Sequence, residues 1–225
     1  MVKLTNYNDF IERVNELGFM AFSNTLPGFP SLTAETPGGI WHTGNPQTDP
    51  WCWKDRAAEE KKLAFGCVLG GNKGFIAPPM YAHFYAACQP EEHIEELQVF
   101  GFLSPEVWRL WQLFETRSPL STGEIRQEMG VTKKKGGSRV DKAISELERM
   151  FCITVAGCRR KIDKFGQPFG WASNVYDKVE NWAPREWLVE SQTIGREESR
   201  NRILDRGLTI SQNISREQLA AMLRF

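Results

Sequence analysis

Little in this chain of 225 residues suits a metal, redox or membrane protein. The five cysteines, Cys52, Cys67, Cys88, Cys152 and Cys158, form no Cys-x-x-Cys and no regular spacing. An odd, unpatterned set reads as reduced thiols, not as a disulfide framework. Histidine is scarce: His42, His83 and His93 make no His-x(3–5)-His pair, so neither a zinc site nor any other metal is expected. No cofactor is expected either, because the glycines at Gly70 to Lys73 lack the spacing of a phosphate loop. Long apolar runs are missing, and the N-terminal MVKLTNYNDFIERVNELG carries a charge every few residues, unlike a signal peptide. The expected location is the cytoplasm. Net charge is absent as well: 28 Lys+Arg balance 28 Asp+Glu, which argues against a uniformly basic coat or an acidic tail.

What remains is a globular composition, 41% hydrophobic and 12% aromatic, in a chain long enough for one large domain or two small ones. In residues 1–100, Tyr7, Phe10, Ile11, Val14 and Leu17 recur at helical spacing and Gly18 stops the helix. A loop rich in Pro and Gly then runs to about Thr48. Asp49 caps, and Pro50 opens, a helix expected through DPWCWKDRAAEEKKLAFG. CVLGGNKGFIAP reads as two strands around a Gly-Gly-Asn turn, followed by the apolar helix MYAHFYAAC and the acidic helix EEHIEEL.

Residues 101–182 are more legible. Ser104-Pro105 opens a helix with Val107, Leu110, Trp111 and Phe114 on one stripe. Ser121 and Glu124 make a capping box for a second helix, with Ile125 and Met129 inward and Gly130 as its stop. After VTKKKGG, Ser138 is expected to cap a third helix that buries Val140, Ala143, Ile144, Leu147 and Phe151. Its outer face would carry Arg139, Lys142, Ser145, Glu146 and Arg149. Phe151, Ile153 and Val155 alternate as a half-buried strand does, and GCRRKIDKFGQPFG is a basic turn before a return strand WASNVYD. Three helices and a hairpin make a winged helix-turn-helix. Residues 183–225 read as a helical C-terminal extension, with a second capping box at Ser215 and Gln218 ahead of Leu219, Met222 and Leu223. The expected fold is therefore α+β, mainly α: an N-terminal winged-helix-like domain with an aromatic-rich insertion, a winged helix-turn-helix, and the extension.

The neutral total hides a division. From Arg126 to Lys164 eleven Lys/Arg stand against five Asp/Glu, a net +6 against −6 elsewhere. Lys133, Lys134, Lys135, Ser138, Arg139 and Lys142 lie at the third helix, and Arg159, Arg160, Lys161 and Lys164 at the wing. Cations so placed would neutralise phosphates and release counterions, so DNA is the expected partner and these are the candidate contact residues. Backbone N–H groups of Gly136, Gly137 and Ser138 could hold one phosphate. Glu146 and Glu148 on the same helix would oppose deep insertion into a major groove, which favours docking dominated by the backbone.

The helix-turn-helix, KAISELERMFCITVAG and the exit NVYDKVENWAP, with Tyr176, Glu180 and Pro184, resemble the middle winged helix of the AlkZ (YcaQ-like) DNA glycosylase family. ILDRGLTISQNISREQLAAML resembles the helical linker before that family's third winged helix, and no complete third unit is expected before Phe225. The resemblance implies excision of alkylated or crosslinked bases, by a Gln-aliphatic-Gln or Gln-aliphatic-Asp motif shortly after the first helix and following Leu-Gly. Leu17-Gly18-Phe19-Met20-Ala21-Phe22 offers Met20 and Phe22 there, and neither can activate water or stabilise an oxocarbenium charge. The motif occurs nowhere else. A DNA-binding relative without the known chemistry is expected first, and second a glycosylase whose acid/base has moved to Asp49, Asp55 or Glu59. A third reading has the basic patch docking an acidic protein. Around WHTGNPQTDPWCWKDRAAEE, Trp41, Trp51 and Trp53 beside His42 either stack a flipped or single-stranded base or plug the core, with Asp55, Glu59 and Lys62 as a solvated face.

Overall fold

The computed structural model describes residues 3–132 and 136–225. Met1, Val2 and the candidate contact residues Lys133, Lys134 and Lys135 lie outside them. The first unit runs α1 (Tyr7–Leu17), β1 (Phe19–Ala21), α2 (Leu32–Glu35), a 3-10 turn (Gly38–Ile40), α3 (Pro50–Glu59), β2 (Ala64–Leu69), β3 (Asn72–Ile76) and α4 (Pro78–Cys88), and α5 (Ile94–Val99) follows. Its antiparallel sheet has the order β1-β3-β2. The second unit runs α6 (Pro105–Thr116), β4 (Leu120–Ser121), α7 (Thr122–Glu128), α8 (Gly137–Arg149), β5 (Ile153–Ile162) and β6 (Pro168–Lys178), with sheet order β4-β6-β5. Each unit thus reads helix, strand, helix, helix, strand, strand, with its first strand hydrogen-bonded to its last. α9 (Val179–Trp182), α10 (Arg185–Val189), α11 (Arg196–Ile210) and α12 (Arg216–Leu223) complete the chain.

Local chemistry fixes most ends. Asn6, Asp49, Ser104, Ser121 and Ser215 accept backbone N–H groups as N-caps of α1, α3, α6, α7 and α12. Both expected capping boxes form, Ser121 with Glu124 and Ser215 with Gln218. Gly70 and Gly71, at φ +61° and +93°, make the two-residue turn of the β2–β3 hairpin.

Several boundaries differ from the sequence reading. α3 ends at Glu59, Lys61 takes φ +53°, and the apolar run from Ala64 becomes β2, every residue of which is buried. Period alone does not separate a short buried strand from a helix. Residues 19–48 hold β1, α2 and the 3-10 turn in addition to loop. The acidic helix starts at Ile94. Gly136, in the left-handed region at φ +98°, is the N-cap of α8, which puts Ser138 inside the first turn instead of at the cap. Phe151 sits in the turn after α8 at φ +54°, buried but outside β5. Thr154 breaks the expected alternation because both faces of β5 are covered there. Trp111 and Met129 are half-buried, at the margin of the core.

One apolar cluster runs through both units. β2 lies against α8 and β5, and α3 against β5. Across that junction Trp182 Nε1 donates to Ala58 O at 3.1 Å, and Cys67 Sγ meets Ser145 Oγ at 3.5 Å. The C-terminal helices return to the first unit: α11 packs on α4, and Arg206 donates to the carbonyls of Glu16 and Leu17 at the end of α1. Among the described residues no helix is long and apolar enough to cross a membrane.

Candidate nucleic-acid interface

The consequence of this packing for α8 is that only its start is open. Ser145 touches Cys67, and the Glu148 carboxylate lies against Gly66, so β2 covers the C-terminal half of the helix. Glu148 is 3% exposed and does not face outward with Glu146; Ser145, Glu146 and Arg149 are half-buried. Burial pushes the Glu148 carboxyl up to about 7, against the smaller opposing effects of the Cys67 contacts and of Lys73.

The open start of α8 lines a broad groove of about 960 Å³. Thr122 and Arg126 of α7, Gly136, Gly137, Ser138 and Asp141 of α8, and Lys161, Trp171 and Ser173 of the hairpin border it. Ser138, Arg139 and Lys142 are exposed on this part of α8, and Arg159, Arg160, Lys161 and Lys164 are exposed on the hairpin. Some of these cations are held by carboxylates. Arg126 grips Asp141 through two contacts at 2.9 and 3.0 Å, Arg139 reaches Glu106 at 3.4 Å, and Arg159 reaches Glu124 at 3.7 Å. Among the described residues no ion pair engages Lys142, Arg160, Lys161 or Lys164.

Trp171 also borders a second cleft, of about 570 Å³. Its walls are the loop from His42 to Pro46, the face of α3 carrying Trp51, Cys52, Asp55, Arg56 and Glu59, and Cys158, Arg160 and Ala172 of the hairpin. The His42 ring stands between two tryptophans, 5.1 Å from Trp51 and 6.2 Å edge-on to Trp171. The volume falls in the range of small-ligand sites.

The three N-terminal tryptophans therefore divide. Trp53 is a core plug, 0% exposed and stacked on Phe10 at 5.5 Å. Trp41 is half-buried and donates to Thr36 Oγ1 at 3.0 Å. Trp51, 37% exposed, lines the cleft. The acids divide as well. Asp49 is 1% exposed, and its two oxygens accept N–H bonds from His42, Gly44 and Trp51 at 3.0, 2.8 and 2.9 Å. Its role is to hold the loop onto the helix start. Asp55 is not a solvated side chain; it pairs with Lys54 in a site where both are buried. Lys54 in turn lies 4.6 Å from the Trp51 ring centre. Glu59 is exposed on the rim, beside Gly157.

Residues 19–23 read Phe-Met-Ala-Phe-Ser and hold no Gln or Asp in any register. Phe19, Met20 and Ala21 are fully buried, and Phe22 packs against Trp41, Trp51, Phe65 and Phe75 behind the cleft wall. The chain does hold one Gln-x-Asp with a threonine in the middle, Gln47-Thr48-Asp49. There the Gln47 carbonyl accepts from Tyr7 N and Trp53 Nε1, and Asp49 is the helix cap just described.

The sequence reading missed Trp171. Arg159 pairs with Ser173 and Lys161 with Phe169, so Gly170, Trp171 and Ala172 face the single residue Arg160. This bulge, with Gly170 at φ +70°, turns Trp171 out of the ladder and between the two clefts. The clue in the sequence is Phe-Gly-Trp, which spans the end of the basic turn and the first residue of the expected return strand. Among the described residues no group of three or more His, Cys, Asp or Glu is arranged to hold a metal ion.

Compared with known proteins, residues 4–224 match a protein-family model described as AlkZ related. No curated protein and no solved structure matches.

Proposed function

The chain belongs to the AlkZ-related family, and from that premise we propose that it is a DNA-binding protein built on two winged-helix units. It docks on the phosphate backbone through the start of α8, the preceding Lys133, Lys134 and Lys135, and the β5–β6 wing. It holds an extrahelical nucleobase in the cleft between Trp51 and Trp171. The observation that carries this reading is Trp171, which borders both the groove at the start of α8 and the aromatic cleft. A strand held on the first surface has its bases within reach of the second. Burial of the C-terminal half of α8 under β2 favours contacts to phosphate over a helix laid along the major groove. The unpaired Lys142, Arg160, Lys161 and Lys164 suit a polyanion. Trp51, His42 and Trp171 offer stacking faces that accept any base. The apolar residues at 19–22 leave no polar pair for the excision chemistry associated with the family.

Fluorescence anisotropy with a short duplex, fully paired or carrying one unpaired base, tests this. Affinity should fall steeply with salt and collapse when Lys133, Lys134, Lys135 and Arg139 are changed to Ala. Trp51→Ala should remove only the preference for the unpaired base. Binding indifferent to salt and to these substitutions contradicts the proposal, and a complex with an acidic protein that survives nuclease would reassign the basic patch.

A second reading, a glycosylase with a relocated acid/base, is favoured by the Lys54–Asp55 pair beside the cleft. Asp49 is removed from it by its three backbone bonds, which leaves Asp55 and Glu59. Abasic sites formed in alkylated or crosslinked duplex, and lost in Asp55→Asn, would support that reading. No product at stoichiometric protein counts against it.

A further inference from the structure

Lys54, on α3, is the one buried lysine among the described residues, at 6% exposed. Enclosing a lysine costs its ammonium strong hydration, so it is rarely done without a partner or a task. The partner is Asp55, 8% exposed, whose carboxylate holds Lys54 Nζ. Aromatic rings form the rest of the enclosure, with Nζ 4.6 Å from the Trp51 ring centre and 5.7 Å from that of Phe65. The pair joins no two elements, because its members are neighbours on one helix. It therefore ties together nothing that α3 does not already hold, and a buried ion pair is by itself a poor source of stability.

Its place gives it a task. Trp51 and Asp55 both line the aromatic cleft, with Glu59 and Cys158 on the same side. Lys54 Nζ thus stands directly behind the cleft surface, screened from bulk water by two side chains that form that surface. An amine in an apolar enclosure with a carboxylate at hand is the arrangement in which lysine attacks carbonyl carbon. DNA carries a reactive aldehyde in one place: where a base has been lost, the ring-opened deoxyribose has one at C1′. An abasic residue, having no base, can also enter the cleft further than a whole nucleoside.

We propose that the cleft is an abasic-site lyase centre with Lys54 as its nucleophile. Asp55 takes one proton from the Lys54 ammonium and swings aside, and the free amine adds to C1′ of the aldehyde. The carbonyl oxygen leaves as water with the proton returned by Asp55, which gives an iminium between Nζ and C1′. Asp55 then removes a proton from C2′. The electron pair of that C–H bond forms the C2′=C3′ double bond, the C3′–O bond breaks, and the phosphate on the 3′ side departs with the C–O pair and the proton from Asp55. Water hydrolyses the iminium, releasing an unsaturated aldehyde and restoring the Lys54 ammonium. The lyase rests on the DNA-binding reading above, but it needs no base excision by this chain, since its substrate arises wherever a base is lost.

Sodium borohydride trapping on a duplex with a single abasic aldehyde tests this, with anisotropy on the same duplex to measure binding. Borohydride reduces an imine to a stable amine, so the wild-type chain should become covalently joined to the abasic strand. Without borohydride it should nick that strand on the 3′ side of the abasic residue. Mass spectrometry of the trapped wild-type chain should place the adduct on Lys54, a result that needs no variant to fold. Lys54→Arg keeps a cation for Asp55 but forms no imine, and it should give no adduct at concentrations that saturate the duplex. Lys62→Arg, at an exposed position beyond α3, should trap as the wild type does. Asp55→Asn should slow nicking about a hundredfold or more. An adduct mapped to Lys142, Lys161 or another exposed lysine overturns the assignment to Lys54. Tight, salt-dependent binding with neither adduct nor nick shows that the lyase is wrong and that backbone docking stands. If no duplex is bound at all, the function proposed above fails first and the lyase with it.

Discussion

Glu148 offers a prediction whose sign and size follow from one buried side chain. It is 3% exposed, its carboxylate lies against Gly66, and burial raises its ionisation from an ordinary 4.5 to about 7. In the unfolded chain the group loses its proton near 4.5, whereas the folded chain keeps it until about 7. Stability is therefore full below about pH 4.5, falls as pH rises through the window, and levels off above about 7. The shift from 4.5 to about 7 corresponds to about 3 kcal/mol at the plateau. Glu148→Gln removes the titration. The buried amide carries its own constant cost of about 1–3 kcal/mol if its N–H groups lack acceptors, but that cost is the same at every pH. Urea unfolding of both chains at pH 5, 6, 7 and 8 isolates the effect. The difference between variant and wild type should move by about 2.5 kcal/mol in favour of the variant between pH 5 and 8, the first part of the plateau value being already lost at pH 5. Two stability curves that run parallel across this range would refute the placement of an uncompensated carboxyl under β2.

Other substitutions separate the core from the surface. Trp53→Ala should lose about 3–5 kcal/mol in urea unfolding, whereas Trp51→Ala, at the cleft, should lose about 1 kcal/mol; equal losses would contradict the division between them. Lys54→Ala strands the buried Asp55 carboxylate and should cost about 3–5 kcal/mol, more than the double change with Asp55→Asn. Ser121→Ala breaks the α7 capping box for about 1 kcal/mol. Arg160→Ala and Lys161→Ala should each lower the slope of log affinity against log salt by about 1 in duplex titrations. An unaltered slope would remove the wing from the interface.

Most local signals were legible in the sequence, the Ser138 cap, displaced by Gly136, being an exception. The capping boxes at Ser121 and Ser215, the Asp49-Pro50 start and the Gly70-Gly71 turn each specify backbone geometry within a few residues, and each stands in the structure. Signals that depend on distant packing were misread. Ala64, Phe65 and Gly66 continue a helical pattern on paper; burial on both faces by α3, α8 and β5 adds them to the strand expected from Cys67. The same contact hides Glu148, which the reading of charge counted with Glu146 against phosphates. Trp171 escaped notice because its importance comes from a bulge, and a bulge is a mismatch between two strands that neither strand encodes alone. The charge division was visible from the start, and folding narrows it, since Asp141, Glu106 and Glu124 engage Arg126, Arg139 and Arg159.

Amide hydrogen exchange of the chain, free and saturated with a duplex bearing one unpaired base, tests the central claim most directly. The account predicts slowed exchange in three segments together: 136–142 at the start of α8, 158–173 in the wing, and 42–56 along the aromatic cleft. Slowing confined to α5, α10 or α11, with the wing and the cleft unchanged, would contradict it.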